Sequence, residues 1–230
     1  MKLYHGSNSI HLDSILKQGI HPRYKNKGNW AEGNISMPWA VYLTDSLAPY
    51  FAAWGQQELE GTRGLILEID TDRLLPDHFL PDEDFLRIIL KRQKQPIPRK
   101  NAFKQWRNLV LANRHLWQKS LETIGTCAYL GFVDAKAITR YVLFERDSEH
   151  VFRYDNSVSP MAHRFTGARN REYLRLLFDG EFDPVHLNTF FFDENNEPLV
   201  PESPAWIAKR EELIRQVIKH RNETVEVCRV

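Results

Sequence analysis

Residues 65–69, Leu-Ile-Leu-Glu-Ile, carry apolar side chains at four of five positions. A run that short and that apolar reads as a strand lying centrally in a sheet. The rest of the chain has to supply its neighbours. Leu3-Tyr4-His5 is a β-like run stopped by Gly6, residues 39–44 read as a second strand, and residues 127–133 and 141–145 return to strand. Helical patterns lie between them. Asn8 or Ser9 caps a helix through Leu12, Ile15 and Leu16 that Gly19 closes, and Asp45 or Ser46 caps another through Tyr50, Phe51 and Trp54. Residues 82–94 and 101–120 read as two helices separated by Gln95-Pro96-Ile97-Pro98, with Phe103, Trp106, Val110, Asn113 and Trp117 recurring at helical spacing in the second. Residues 21–38, polar with glycines, are a long loop of the kind that often acts as a lid. Strands and helices thus mix in an α+β pattern, with a domain expected over residues 1–146.

Residues 147–230 read as a mixed C-terminal extension packing on that core. A short helix is expected at 169–178, and a strand or an apolar segment at 185–192. From Ser203-Pro204, an N-cap followed by proline, Ile207, Arg210, Leu213, Ile214, Val217 and Ile218 mark an amphipathic helix.

The 230 residues are 42% hydrophobic and 27% charged, an ordinary globular balance for one large domain or two small ones. The two cysteines, Cys127 and Cys228, lie far apart without CxxC spacing, which excludes a disulfide framework and a cysteine zinc site. A reducing, cytoplasmic compartment is the expectation. The segment Met1–Gly6 has no apolar signal region, and no apolar run approaches the ~18 residues of a membrane span, so no membrane partner is expected.

Formal net charge is +1, but its distribution is uneven. Phe85 to Ser120 contains no acid and ten cations: Arg87, Lys91, Arg92, Lys94, Arg99, Lys100, Lys104, Arg107, Arg114 and Lys119. This reads as a basic helical insertion, about residues 82–120. Lys91, Arg92, Lys94, Lys104 and Arg107 are candidates to contact the phosphates of a nucleic acid, with Trp106 and Trp117 available to stack on a base, although their helical spacing makes at least one of them core. The plain alternative is a pair of helices with solvated basic faces.

No single motif decides the chemistry. There is no Walker loop, GxGxxG, GxSxG or HExxH, and the nine histidines show no ligand spacing, so no metal is expected. His5 and Tyr42 on their strands each also read as core packing, and Gly6-Ser7 as a turn. The order of these pieces says more. Tyr4-His5-Gly6-Ser7 on a strand, a helix ending Ile15-Leu16-Lys17-Gln18-Gly19-Ile20, then Val41-Tyr42-Leu43-Thr44-Asp45-Ser46 and an alanine/aromatic helix resemble the ADP-ribosyltransferase superfamily. The likeness is to the His-Tyr-Glu branch typified by diphtheria toxin and the poly(ADP-ribose) polymerases, and it extends to the related RNA 2′-phosphotransferases. It covers roughly residues 2–70 and 122–145.

That resemblance implies a split β-sheet core with peripheral helices, NAD as co-substrate, and a site built on His5 and Tyr42. It gives His5 a ribose hydroxyl, the Gly6 backbone the nicotinamide amide, and Tyr42 a stacking role on nicotinamide, with Tyr50, Phe51 and Trp54 as candidates for the second wall and Ser7 for a hydroxyl in the pocket. One position departs. Polymerizing members carry glutamate at the start of the strand here formed by Gly125-Thr126-Cys127-Ala128-Tyr129, which has no acid. Thr126 or Cys127 is the expected occupant, with Glu122 just before it as the other candidate. In the family, loss of this glutamate goes with mono-ADP-ribosylation or with loss of activity, because nothing then deprotonates an acceptor ribose hydroxyl. The expected activity is mono-ADP-ribosyl transfer to a nucleic acid or a protein. RNA 2′-phosphotransfer and a non-catalytic NAD- or nucleic-acid-binding module are the other readings. Tyr4 and Tyr42, where a phosphotransferase is expected to carry arginine and histidine, weigh against the first of these.

Overall fold

A computed structural model describes residues 1–23, 36–54, 62–99, 102–145, 160–181, 193–195 and 197–230. Among the described residues the strands are β1 (Lys2–Asn8), β2 (Ala40–Thr44), β3 (Gly64–Asp70), β4 (Phe79–Pro81), β5 (Thr126–Leu130), β6 (Ile138–Phe144) and β7 (Glu226–Arg229). They form one antiparallel sheet in the order β4-β5-β2-β1-β3-β6-β7. Among the described residues the helices that accompany it are α1 (Leu12–Gln18), α2 (Ala48–Trp54), α3 (Glu83–Arg92), α4 (Phe103–Ala112), α5 (Trp117–Ile124), α6 (Pro160–Asp179) and α7 (Pro204–Thr224). The architecture is mixed α+β.

The apolar run at 65–69 lies in β3, which pairs with β1 along one side and with β6 along the other, and its residues Gly64 to Ile69 are buried. Glu68 interrupts the run without leaving it unpaired. Burial alone would raise its carboxyl, but hydrogen bonds from Arg140, Thr139 and Lys2 outweigh that and hold it at about 2. Strand alternation sends Leu65, Leu67 and Ile69 to one face of the sheet, where they meet Leu3, Val41, Leu43, Cys127, Tyr129, Ile15 of α1 and Leu121 of α5. On the other face, Ile66, Val142 and Phe144 pack against Ala48 and Ala52 of α2, Tyr173, Leu174 and Leu177 of α6, and Val217 of α7. Further along that face, Ala40, Leu80 and Ala128 are covered by Phe85 and Leu86 of α3 and Trp106 and Val110 of α4. Each fully buried leucine, isoleucine or phenylalanine contributes about 1.5–3 kcal/mol.

Pairing is uneven across the sheet. β1 matches β3 from Lys2↔Asp70 to Asn8↔Gly64, whereas β1 and β2 share the single register pair Tyr4↔Thr44. The sheet therefore parts between β1 and β2 beyond Tyr4, on the side that carries His5.

Several local expectations change. The stretch 101–120 is not one helix: Asn113 closes α4 with both its backbone N–H and its side-chain amide on the Leu109 carbonyl, and a 3-10 turn at Arg114–Leu116 leads into α5. Such side-chain competition for helix carbonyls ends a helix. Asn8 caps the first turn by accepting the Ile10 N–H at 3.0 Å. At the second helix Thr44, beside the expected Asp45 and Ser46, holds the entering backbone. The Thr44 hydroxyl accepts from the N–H groups of Ser46 and Leu47 while donating to the Gly125 carbonyl, and Asp45 pairs with Arg171 at 2.6 Å. The helix expected at 169–178 begins already at Pro160. Ser203 caps α7 as expected, by accepting from the Trp206 N–H. The segment 185–192 and most of the loop 21–38 lie outside the described residues.

Candidate site at the parting of strands one and two

His5 stands at the parting of β1 and β2. Its Nδ1 donates to the Tyr42 carbonyl at 2.9 Å, across a gap where the register gives no backbone partner. A carbonyl oxygen accepts only, so the ring proton is on Nδ1. Burial lowers the His5 pKa, the bond to Tyr42 opposes that, and the charges of Arg23 and His11 lower it further. The ring is therefore neutral at neutral pH, and its Nε2 carries a lone pair. His11 is lowered too, by burial and by Arg23. Two basic groups thus lie near His5.

Tyr42 projects from β2 to the face covered by α3. Its phenol meets both carboxyl oxygens of Glu83, at 2.8 and 2.6 Å, and accepts the Met37 N–H at 2.6 Å. Burial, followed by the nearby Glu83 and Asp82, pushes the phenol well above its ordinary value. Glu83 lies in the first turn of α3, and Asp82 is the N-cap before it, accepting the Asp84 N–H at 2.9 Å. Asp82 also accepts the Thr126 hydroxyl at 2.7 Å, while its own N–H goes to Ser120, whose hydroxyl donates to the Thr126 carbonyl. Both acids are buried. Burial and the neighbouring Asp84 raise Asp82 to about 7, and burial with the neighbouring Asp82 raises Glu83 well above the carboxylate range. Two carboxyls side by side away from water cannot both ionise cheaply.

The other candidates separate. Thr126, at the position where the resemblance asks for glutamate, is buried against Asp82. Cys127 faces the opposite side, fully buried in the core with Leu43, and burial raises its thiol well above its ordinary value, so it is a core residue. Glu122 is exposed and pairs with Lys119 at 3.2 Å. Gly6 is needed where it stands: a Cβ there would lie 2.4 Å from the Ala48 carbonyl oxygen and 2.8 Å from the Ala52 nitrogen of α2. Ser7 is half-buried on β1. Tyr50 is buried against Leu47 and Phe51, its ring centroid 5.6 Å from that of Phe51. The Trp54 side chain lies outside the described residues.

The basic helices divide by face. Lys91, Arg92 and Lys94 at the end of α3 are exposed, as are Lys104 and Arg107 on α4, and Arg107 lies over the Trp39 ring at 6.0 Å. Both tryptophans offered for stacking on a base are used in packing, as their helical spacing implied for at least one of them. Trp106 is buried with its indole N–H on the Arg99 carbonyl, and Trp117 stacks on Phe79 with centroids 4.6 Å apart. Sequence spacing gives no sign of Asp82 and Glu83 as site residues, because an acidic N-cap followed by a first-turn acid is also what any helix start favours.

Among the described residues, no group of three or more His, Cys, Asp or Glu side chains is placed to hold a metal ion, and no helix is long and apolar enough to cross a membrane. No family model matches the chain, and no curated protein matches it. Among solved structures it is similar to the chain titled EcPltA, at 12% identity, over 62% of this chain and 75% of that one, with a TM-score of 0.35. A likeness of that size assigns neither fold family nor function.

Proposed function

We propose that the protein is a mono-ADP-ribosyltransferase that moves ADP-ribose from NAD to a macromolecular acceptor, on an ADP-ribosyltransferase-like core over residues 1–146 with residues 147–230 as an extension. The observation that carries this reading is the His5–Tyr42 bond at the parting of β1 and β2. It supports a split sheet with the His-Gly-Ser segment and Tyr42 at the split, as the sequence resemblance expects. The neutral His5 ring presents Nε2 as an acceptor, which suits the hydroxyl of a ribose. The charge of Arg23 acts on it, and a positive charge there is favourable for a dinucleotide's phosphates.

In the reaction the bond between ribose C1″ and the nicotinamide nitrogen breaks, and nicotinamide leaves with the bonding pair as a neutral molecule. An acceptor atom supplies its own electron pair to C1″ and releases its proton to solvent. With Thr126 at the start of β5 and no carboxylate on that strand, nothing there deprotonates the hydroxyl of an ADP-ribose already attached, so the reaction stops after one transfer. The exposed cations Lys91, Arg92, Lys94, Lys104 and Arg107 favour an acceptor bearing phosphates, a nucleic acid ahead of a protein. The test is incubation with NAD labelled in the adenylate and separate pools of RNA, DNA and protein. A single ADP-ribose on one class of acceptor is expected. Ladders of polymer, or no transfer to any pool, would contradict the reading.

A further inference from the structure

We propose that Glu83 is a positioning residue for Tyr42, so that an acid from α3 orders the site where β5 brings none. The inference rests on the NAD reading above. Tyr42 is held at both ends: His5 binds its carbonyl, and Glu83 together with the Met37 N–H holds its phenol. Both Glu83 oxygens lie within hydrogen-bond distance of the phenol oxygen. A neutral carboxyl in that place exchanges two hydrogen bonds with the phenol, accepting its proton at one oxygen and donating from the other. Together with the Met37 N–H, this uses the whole hydrogen-bonding capacity of the phenol and fixes its ring.

Packing alone does not account for an acid here. Glu83 is 7% exposed and bonded to Tyr42, whose ring packs against the cluster of Leu80, Phe85 and Leu86, and a leucine there would have no carboxyl to desolvate. The same helix start also holds the second strand. Asp82 takes the Thr126 hydroxyl, so consecutive residues at the start of α3 fix β2 at Tyr42 and β5 at Thr126. The ionisable groups around Glu83 are Asp82 and Asp84 on its own helix and Tyr42 on β2.

The test compares Glu83→Gln, Glu83→Leu, Tyr42→Phe and the Tyr42→Phe/Glu83→Leu double variant by calorimetric titration with NAD from pH 6 to 10. Glutamine keeps one acceptor and one donor for the phenol, so Glu83→Gln is expected to bind NAD within about twofold of the parent. Glu83→Leu and Tyr42→Phe are each expected to bind about tenfold more weakly, as the loss of one hydrogen-bonded anchor implies. If Glu83 acts through Tyr42, the double variant is no weaker than the worse single one. Asp82 changes charge near pH 7 in both proteins, and at higher pH the parent loses further affinity as the Glu83 carboxyl gives up its proton, while Glu83→Gln shows no such second loss; a residue that only fills space produces no such difference. Additive losses, or parent-like affinity in Tyr42→Phe, overturn the proposal. The latter does so even when Glu83→Leu fails to fold. A parent that binds no NAD overturns the functional reading itself, an outcome distinct from losses confined to the variants.

Discussion

Replacing Asp82 by asparagine is expected to stabilise the protein at pH 8 and to leave it close to the parent at pH 4. Asp82 is buried at the N-terminus of α3, and burial with the neighbouring Asp84 raises it from 3.8 to about 7. Between those values the folded protein keeps a proton that the unfolded chain has released. Stability from the neutral acid is therefore complete below the unfolded value and is lost as pH rises through the folded one. Roughly three pH units at about 1.4 kcal/mol each give a loss on the order of 4 kcal/mol. Asparagine has no proton to lose. It is also a good N-cap, so the bond from the Asp84 N–H survives, and the Thr126 hydroxyl can rotate to accept from the new amide. Urea unfolding of both proteins at half-unit steps from pH 4 to 8 reads the effect. The stability difference, asparagine variant minus parent, should start near zero and climb to a few kcal/mol. A difference that stays constant across the range, or a variant less stable than the parent at pH 8, would refute the buried-acid reasoning.

NAD should raise the melting temperature of the parent, and His5→Ala should remove most of that rise while circular dichroism shows the fold intact; an unchanged rise takes His5 out of the site. Gly6→Ala drives a methyl into the backbone of α2, so its urea midpoint should fall by an equivalent of about 1–3 kcal/mol. A parent-like midpoint would mean that α2 does not sit against β1. Replacing Lys91, Arg92 and Lys94 by glutamine should weaken single-stranded nucleic acid binding at low salt and leave NAD affinity unchanged. The salt slope should flatten by about 0.7 for every phosphate that is no longer neutralised. If the slope does not move, those side chains form only a solvated face.

The elements legible in the sequence are those whose own pattern carries the signal. Leu65–Ile69 is legible because its apolar side chains alone demand burial, and α7 because Ser203-Pro204 announces its start. β4 and β7 are not. Phe79-Leu80-Pro81 is three residues ending in a proline, and it is a strand because β5 lies beside it, with Leu80 opposite Ala128. The pairing of Val227 with Val142 likewise depends on β6, not on local composition. For the candidate site, His5 and Tyr42 are proposed from the order of the segments around them. Asp82 and Glu83 belong to the same constellation but sit some forty positions beyond Tyr42, and an acidic helix start is chemistry too ordinary to mark them. Cys127 leaves the site for a simpler reason. A one-residue step along β5 exchanges one face of the sheet for the other, and sequence position near Thr126 says nothing about which face is reached.

The uneven stitching of the sheet has a mechanical consequence. β4, β5 and β2 form one leaf and β1, β3, β6 and β7 another, and among the described residues the strand ladder between the leaves is one register pair, with the His5 imidazole on the Tyr42 carbonyl beside it. A seam with so few stitches is the softest line in an otherwise well-laddered sheet, and splaying along it opens the structure where the His5 ring meets the Tyr42 carbonyl. Any molecule that grips both leaves at once works as a staple across that line. Its effect then reaches beyond its own contacts, because closing the seam stiffens every strand on either side, and slowed amide exchange at Tyr4, His5 and Tyr42 would report it.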